Sequence, residues 1–302
     1  MLELLFLFRY AFIAGIALAT VCSLLSVVVV TKRMAFIGEG IAHAGFGGLG
    51  TAVFLGLTGG GLAAGGTWKT DVIVLVFCLA TAMAIGVLTR RRHVEPDSAI
   101  GIMLVAAMAW GVLMIDLHRN LQSQEWYVRL FGSQPRAFNT ESLLFGSLTN
   151  VGFYDAVLSV GVAIGIVSIL AALFKEILFY AFDETVSQVF GVPARGIHYL
   201  MLALLSVAIV LTVRLAGIVL VSALLVMPGA TAGLLSRHLG RVLALSWLIG
   251  LVGVVGGLLL SLAVGNLSTG PCIVAVHCAL FATALAARTL SRRATGLTSP
   301  TN

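Results

Sequence analysis

Apolar runs long enough to cross a bilayer follow one another along this chain with little between them. They fall at roughly 10–31, 34–57, 71–89, 98–115, 154–174, 197–213, 216–235, 242–264 and 272–290. A crossing helix needs about 20 such residues. In hydrocarbon only helices and closed barrels satisfy their own backbone polar groups, and continuous apolar runs of this length read as helices. The expected fold is therefore all-α: a polytopic membrane protein of about nine transmembrane helices, forming one domain over residues 1–302. The 34–57 run is rich in glycine and is the weakest helix of the set.

Charge refines this reading. Charged residues make up 10% of the chain, against about 25% in soluble domains. The net charge of +6 does not point to nucleic acid, because Lys and Arg sit in short clusters between apolar runs. With the N-terminus outside, twelve of the 18 Lys and Arg residues fall on the inner side, among them Lys32, Arg33, Arg90, Lys175, Arg237 and Arg241. The positive-inside rule thus predicts an N-out, C-in orientation. The first run lacks a basic leader and a small-residue cleavage site, so it reads as a retained helix. Cys22, Cys78, Cys272 and Cys278 lie in apolar segments without a CxxC and read as small buried hydrophobes. The polar stretch at about 294–302 reads as a disordered tail.

Within the second run stand Glu39 and His43. A spacing of four puts both side chains on one helix face. A carboxylate oxygen and an imidazole nitrogen are donors for a first-row divalent metal, and ionisable groups inside a bilayer mark function by default. The alternatives are a carboxylate favoured by the helix start for Glu39 and an interhelical hydrogen bond for His43. Two loops exceed a simple turn. Residues 116–153 would be external, with Asp116 and His118 as a candidate vestibule. Residues 175–196 would be cytoplasmic. There Asp183-Glu184 starts, and Gly191 and Pro193 end, a two-turn helix at about 184–190. Pro228 should kink the seventh span. Its freed carbonyl and Met227 are candidate lining of a path, with Thr231 as a hydroxyl able to satisfy the broken backbone. Arg214 reads as a snorkelling residue or a contact for a delivery protein.

No phosphate-cradling Gly-x-x-x-x-Gly-Lys-Ser/Thr, His-Glu-x-x-His or Gly-x-Ser-x-Gly occurs. Energy for any transport would come from an ion gradient or from a separate ATPase.

Several segments resemble one family. They are Lys32-Arg33-Met34-Ala-Phe-Ile-Gly-Glu39-Gly-Ile-Ala-His43-Ala, then Leu144-Phe145-Gly146-Ser147, then Phe182-Asp183-Glu184 through Gly191-Val192-Pro193. The most specific is Val213-Arg-Leu-Ala-Gly217 through Met227-Pro228-Gly-Ala-Thr231-Ala, and Ser268-Thr-Gly270-Pro271 follows. In this order they resemble the permease subunit of bacterial ABC importers for zinc, manganese or iron(II). The resemblance implies a homodimer in the inner membrane, two copies of a cytoplasmic ATPase and an extracytoplasmic metal-binding protein. It implies metal contact at Glu39 and His43, where the family commonly has Asp and His. It also makes the 184–190 helix a coupling helix, with Asp183, Glu184, Gln188 and Gly191 docking the ATPase. The protein would then hold no permanent cofactor and no ATPase site; the metal is cargo, and ATP acts only through the partner. The competing readings are a proton-coupled secondary metal transporter, an ABC permease for a larger metal chelate, and a membrane metalloenzyme.

Overall fold

The computed structural model describes residues 8–57, 68–90, 94–124, 127, 151–182, 193–264 and 267–296. Ten helices and no strands occur among them: α1 (Arg9–Thr31), α2 (Ile37–Phe54), α3 (Trp68–Arg90), α4 (Pro96–Leu121), α5 (Phe153–Ala172), α6 (Phe174–Phe182), α7 (Ala194–Ala216), α8 (Ile218–Leu235), α9 (Leu239–Val264) and α10 (Thr269–Gly296). Eight are long and apolar enough to span a membrane. The exceptions are the nine-residue α6 and α2, whose glycines, Glu39 and His43 lower its hydropathy. α2 is nevertheless 18 residues long and is enclosed by α3, α4, α7 and α8, so the nine runs seen in the sequence all become helices.

α1 threads the middle of the bundle, packed on α5, α8 and α9. The faces of α1, α7 and α8 meet through Leu18, Leu25, Ile209, Val221 and Leu224, all fully buried. The peripheral helices α4, α5 and α9 turn Ile102, Val105, Val157, Ile164 and Leu248 outward, as lipid-facing surfaces do.

Polar side chains inside these helices are satisfied at home. Thr81, Thr89, Ser206 and Thr212 each donate to the carbonyl four residues back, a bond that spares a hydroxyl from hydrocarbon. Others tie helices together: Ser246 Oγ donates to the Ser23 carbonyl at 2.7 Å, and Trp247 Nε1 to Thr20 Oγ1 at 3.2 Å.

Pro228 lies inside α8, which continues through it. The seam with α1 explains how. Gly229 N donates to Ser26 Oγ at 2.9 Å, and Ser26 Oγ reaches the Val226 carbonyl at 3.3 Å. A Cβ on residue 229 would sit 2.6 Å from Ser26 Oγ. Thr231 Oγ1 donates to the Met227 carbonyl at 2.7 Å, not to the Leu224 carbonyl that proline deprives of its usual donor.

Three further expectations are adjusted. Glycine spacings of four read from sequence as sites of close helix packing; Gly253-x-x-x-Gly257 does seat α10, against His277 and Ile273, whereas a Cβ on Gly161 or Gly165 would meet nothing within 4 Å. Of the four cysteines Cys278 is exposed and the others are buried. α10 runs to Gly296, past the point where the sequence suggested a polar tail.

Candidate functional site

The α1–α2 connection is the first constraint on the site. Arg33 adopts φ 57°. Arg33 N donates to the Val30 carbonyl at 3.1 Å and Met34 N to the Val29 carbonyl at 3.0 Å, the paired bonds of a Schellman cap. Met34 packs on the core beside Val29. The cap ends α1, and α2 begins at Ile37 after five residues.

α2 then lies against its neighbours with almost no side chain between. A Cβ on Gly40 would meet Ile100 Cγ2 at 2.7 Å, one on Gly47 the Ala107 carbonyl oxygen at 2.7 Å, and one on Gly50 would collide with the Gly111 carbonyl oxygen. Contacts that advance together along both helices mean that α2 and α4 run parallel, at a separation only glycine permits. Gly48 meets the Val74 backbone of α3 in the same way. The glycines that weaken α2 as an isolated helix are thus what lets it be buried.

Twelve of its 18 residues are buried. The incompletely covered ones include Glu39, His43 and Phe46, spaced as one stripe along a helix. The helix leaves one strip uncovered, and it carries the carboxylate and the imidazole. His43 Nδ1 lies 2.9 Å from the Glu39 carbonyl. A carbonyl only accepts, so Nδ1 carries the proton and Nε2 keeps its lone pair for a ligand. Metal-binding histidines are oriented in this manner. No group of three or more His, Cys, Asp or Glu that would hold a metal occurs among the described residues; one chain offers two donors.

The remaining candidates are placed as follows. Pro228 and Thr231 are buried in the seam with α1, and Met227 is half-buried. Asp116 and His118 do not converge. α4 continues to Leu121, beyond the end of its apolar run, so a spacing of two directs the side chains apart. Asp116 is exposed and pairs with Arg119 at 3.6 Å. His118 is buried, with Nδ1 2.7 Å from Tyr127 Oη and Nε2 2.9 Å from Gln122 Nε2. Tyr127 Oη in turn donates to the Phe54 carbonyl, and burial raises its phenol above the usual range. This network fastens α4 to the end of α2. His277 is buried with its ring on Gly253 and Nδ1 donating to the Ile273 carbonyl at 2.9 Å. Asp183, Glu184, Gln188 and Gly191 lie outside the described residues, immediately after α6.

A charged cluster was missed in the sequence. Arg214, near the end of α7, donates to Asp71 Oδ2 of α3 at 2.5 Å and to Asp155 Oδ1 of α5 at 2.9 Å. It neither snorkels nor waits for a partner. The available signal was that all three charges sit at the ends of apolar runs on one side of the membrane, where a lone charge at the margin of hydrocarbon needs a counter-ion.

A bundle of apolar helices around a buried glycine-rich helix, with one uncovered ionisable strip, defines a multi-pass integral membrane transport protein. The sequence profile of the ABC 3 transport family matches residues 4–288, and the chain belongs to that family, in the bacterial inner membrane. It is 30% identical to the manganese transport system membrane protein MntC of Halalkalibacterium halodurans, over 91% of this chain and 85% of that one. It is 28% identical to the chelated iron transport system membrane protein YfeD of Yersinia pestis, over 91% and 83%. A solved structure of PsaBC from Streptococcus pneumoniae in complex with Fab superposes with a TM-score of 0.70 at 25% identity, covering 91% of this chain and 90% of that one.

Proposed function

We infer that this chain is the permease subunit of an ATP-driven importer of divalent metal ions. The observation that carries the reading is the strip on α2. In a helix twelve of whose 18 residues are buried, Glu39 and His43 stay half-covered, and the bond at Nδ1 leaves His43 Nε2 its lone pair. Such groups facing lipid would cost about 2.5–3.5 kcal/mol for a charged residue at mid-membrane. The strip therefore fronts a passage shared with a second copy. Two copies pool two carboxylates and two imidazoles, a set that suits manganese, iron or zinc. An open site of this kind lets a cation enter and leave.

Alternating access then moves the cation from an extracytoplasmic metal-binding protein to the cytoplasm. Two copies of a cytoplasmic ATPase supply the energy through the segment 183–192 that follows α6, and the chain runs N-out, C-in. Relatives named for manganese and for chelated iron support a metal cargo.

The test is ATP-dependent uptake of manganese and zinc by the reconstituted complex. His43→Ala and Glu39→Gln should each lower uptake roughly 10–100-fold, the range seen when metal-site groups are disturbed. Wild-type uptake in both variants would refute the site.

A further inference from the structure

We propose that the groove between α1, α5, α6 and the start of α9 binds an anionic phospholipid, with an acyl chain in the groove and its phosphate among the basic residues at the mouth. The inference needs only that the chain is a membrane protein, and is independent of the metal reading.

The groove holds about 220 Å³ and is lined by Leu24, Val28, Leu170, Phe174, Leu178 and Leu243, among others. Thr31 is the one polar residue of the lining, and its hydroxyl is bonded to the Val27 carbonyl at 2.6 Å. Nothing polar in the groove is left to recognise a solute. Phe174 remains 43% exposed and Ala171 is exposed, so the groove opens outward. α6 forms its floor: Phe174, Ile177, Leu178 and Ala181 line it at helical spacing. An open, wholly apolar cleft in a membrane protein fits an alkyl chain.

Charge at one end selects the headgroup. Arg33 lies two residues beyond Thr31, Lys175 adjoins Phe174, and Arg237 precedes Leu239 just before α9 begins, all three neighbours being lining residues. These three basic residues are exposed, and among the described residues none has an ion-pair partner. Glu176, half-buried, is the acidic neighbour in the first turn of α6. Lys32 takes no part, because its ammonium sits 3.9 Å from the Tyr180 ring centroid. Basic residues near a membrane surface attract anionic lipid, each by about 1 kcal/mol.

Native mass spectrometry of the full-length protein, released from detergent with dioleoyl-phosphatidylglycerol or dioleoyl-phosphatidylcholine, tests this. The wild type should retain phosphatidylglycerol in preference. Lys175→Gln and Arg237→Gln should each lower that preference about fivefold while phosphatidylcholine retention stays constant. Ala171→Phe, which fills the groove from an exposed position, should remove both lipids while the thermal transition is unchanged. Equal retention of the two lipids by the wild type, an undiminished preference in the charge variants, or full retention in Ala171→Phe would each overturn the proposal. So would cross-linking that places a second protein copy in the groove.

Discussion

Two sets of ionisable residues lie within the helices of this protein, and they solve the problem of charge in lipid in opposite ways. Arg214, Asp71 and Asp155 close on one another, with side-chain exposures of 19%, 23% and 29%. Three helices contribute, every charge has a partner, and nothing remains to bind a ligand. Glu39 and His43 come from a single helix. Their only bond in common runs from the imidazole to a backbone carbonyl, which orients the ring without using up its second nitrogen. A completed cluster stabilises an arrangement of helices; an incomplete one is available to a transient guest. The difference separates a closed group of charges from an open one more sharply than residue type does.

The contrast can be broken by mutation. The largest effect expected is on transport: His43→Ala should reduce metal uptake up to about 100-fold with the thermal transition nearly unchanged, as measured by uptake and by thermal unfolding in detergent. Glu39→Asp keeps the carboxylate and should retain more uptake than Glu39→Gln; equal loss in both would argue against ligation. Next comes Arg214→Met, which leaves two carboxylates facing each other without a cation. It should destabilise by about 2–3 kcal/mol and leave the metal affinity of folded protein intact. Asp71→Asn keeps the Arg214–Asp155 contact and should be milder, about 1 kcal/mol. Asp116→Asn removes an exposed pair of i,i+3 type and should change stability by less than about 0.5 kcal/mol. Were Arg214→Met to abolish metal binding by folded protein, the two clusters would not be separate in function.

The sequence announces the helices because hydrocarbon demands long apolar runs, and it announces Glu39 and His43 because a spacing of four implies one face. It could not show that α2 is as deeply buried as the most apolar helices around it. Low hydropathy argues against that, and the reason it is so lies in close backbone approaches, such as Gly50 on Gly111, between residues distant in the chain. The Arg214 cluster was hidden for the same reason: its partners are 143 and 59 residues away. Asp116 and His118 misled because α4 outlasts its apolar run by more than a turn, and polar residues there resemble a loop. Gly217, within the most family-specific segment, is explained only by the structure, where at φ 81° it is the single residue between α7 and α8. The short helix before residue 183 escaped notice because residues 175–182 were taken into the cytoplasmic loop, whose helix signals lie further on at Asp183-Glu184.

The glycine seam has a mechanical corollary. Where backbone rests on backbone, no layer of flexible side chains remains to act as a bearing, and sliding by even one residue would drive a neighbouring side chain into a carbonyl. The second and fourth helices are joined like planks without a gap. Any motion of the one must therefore carry the other with it, with the give found at their far edges.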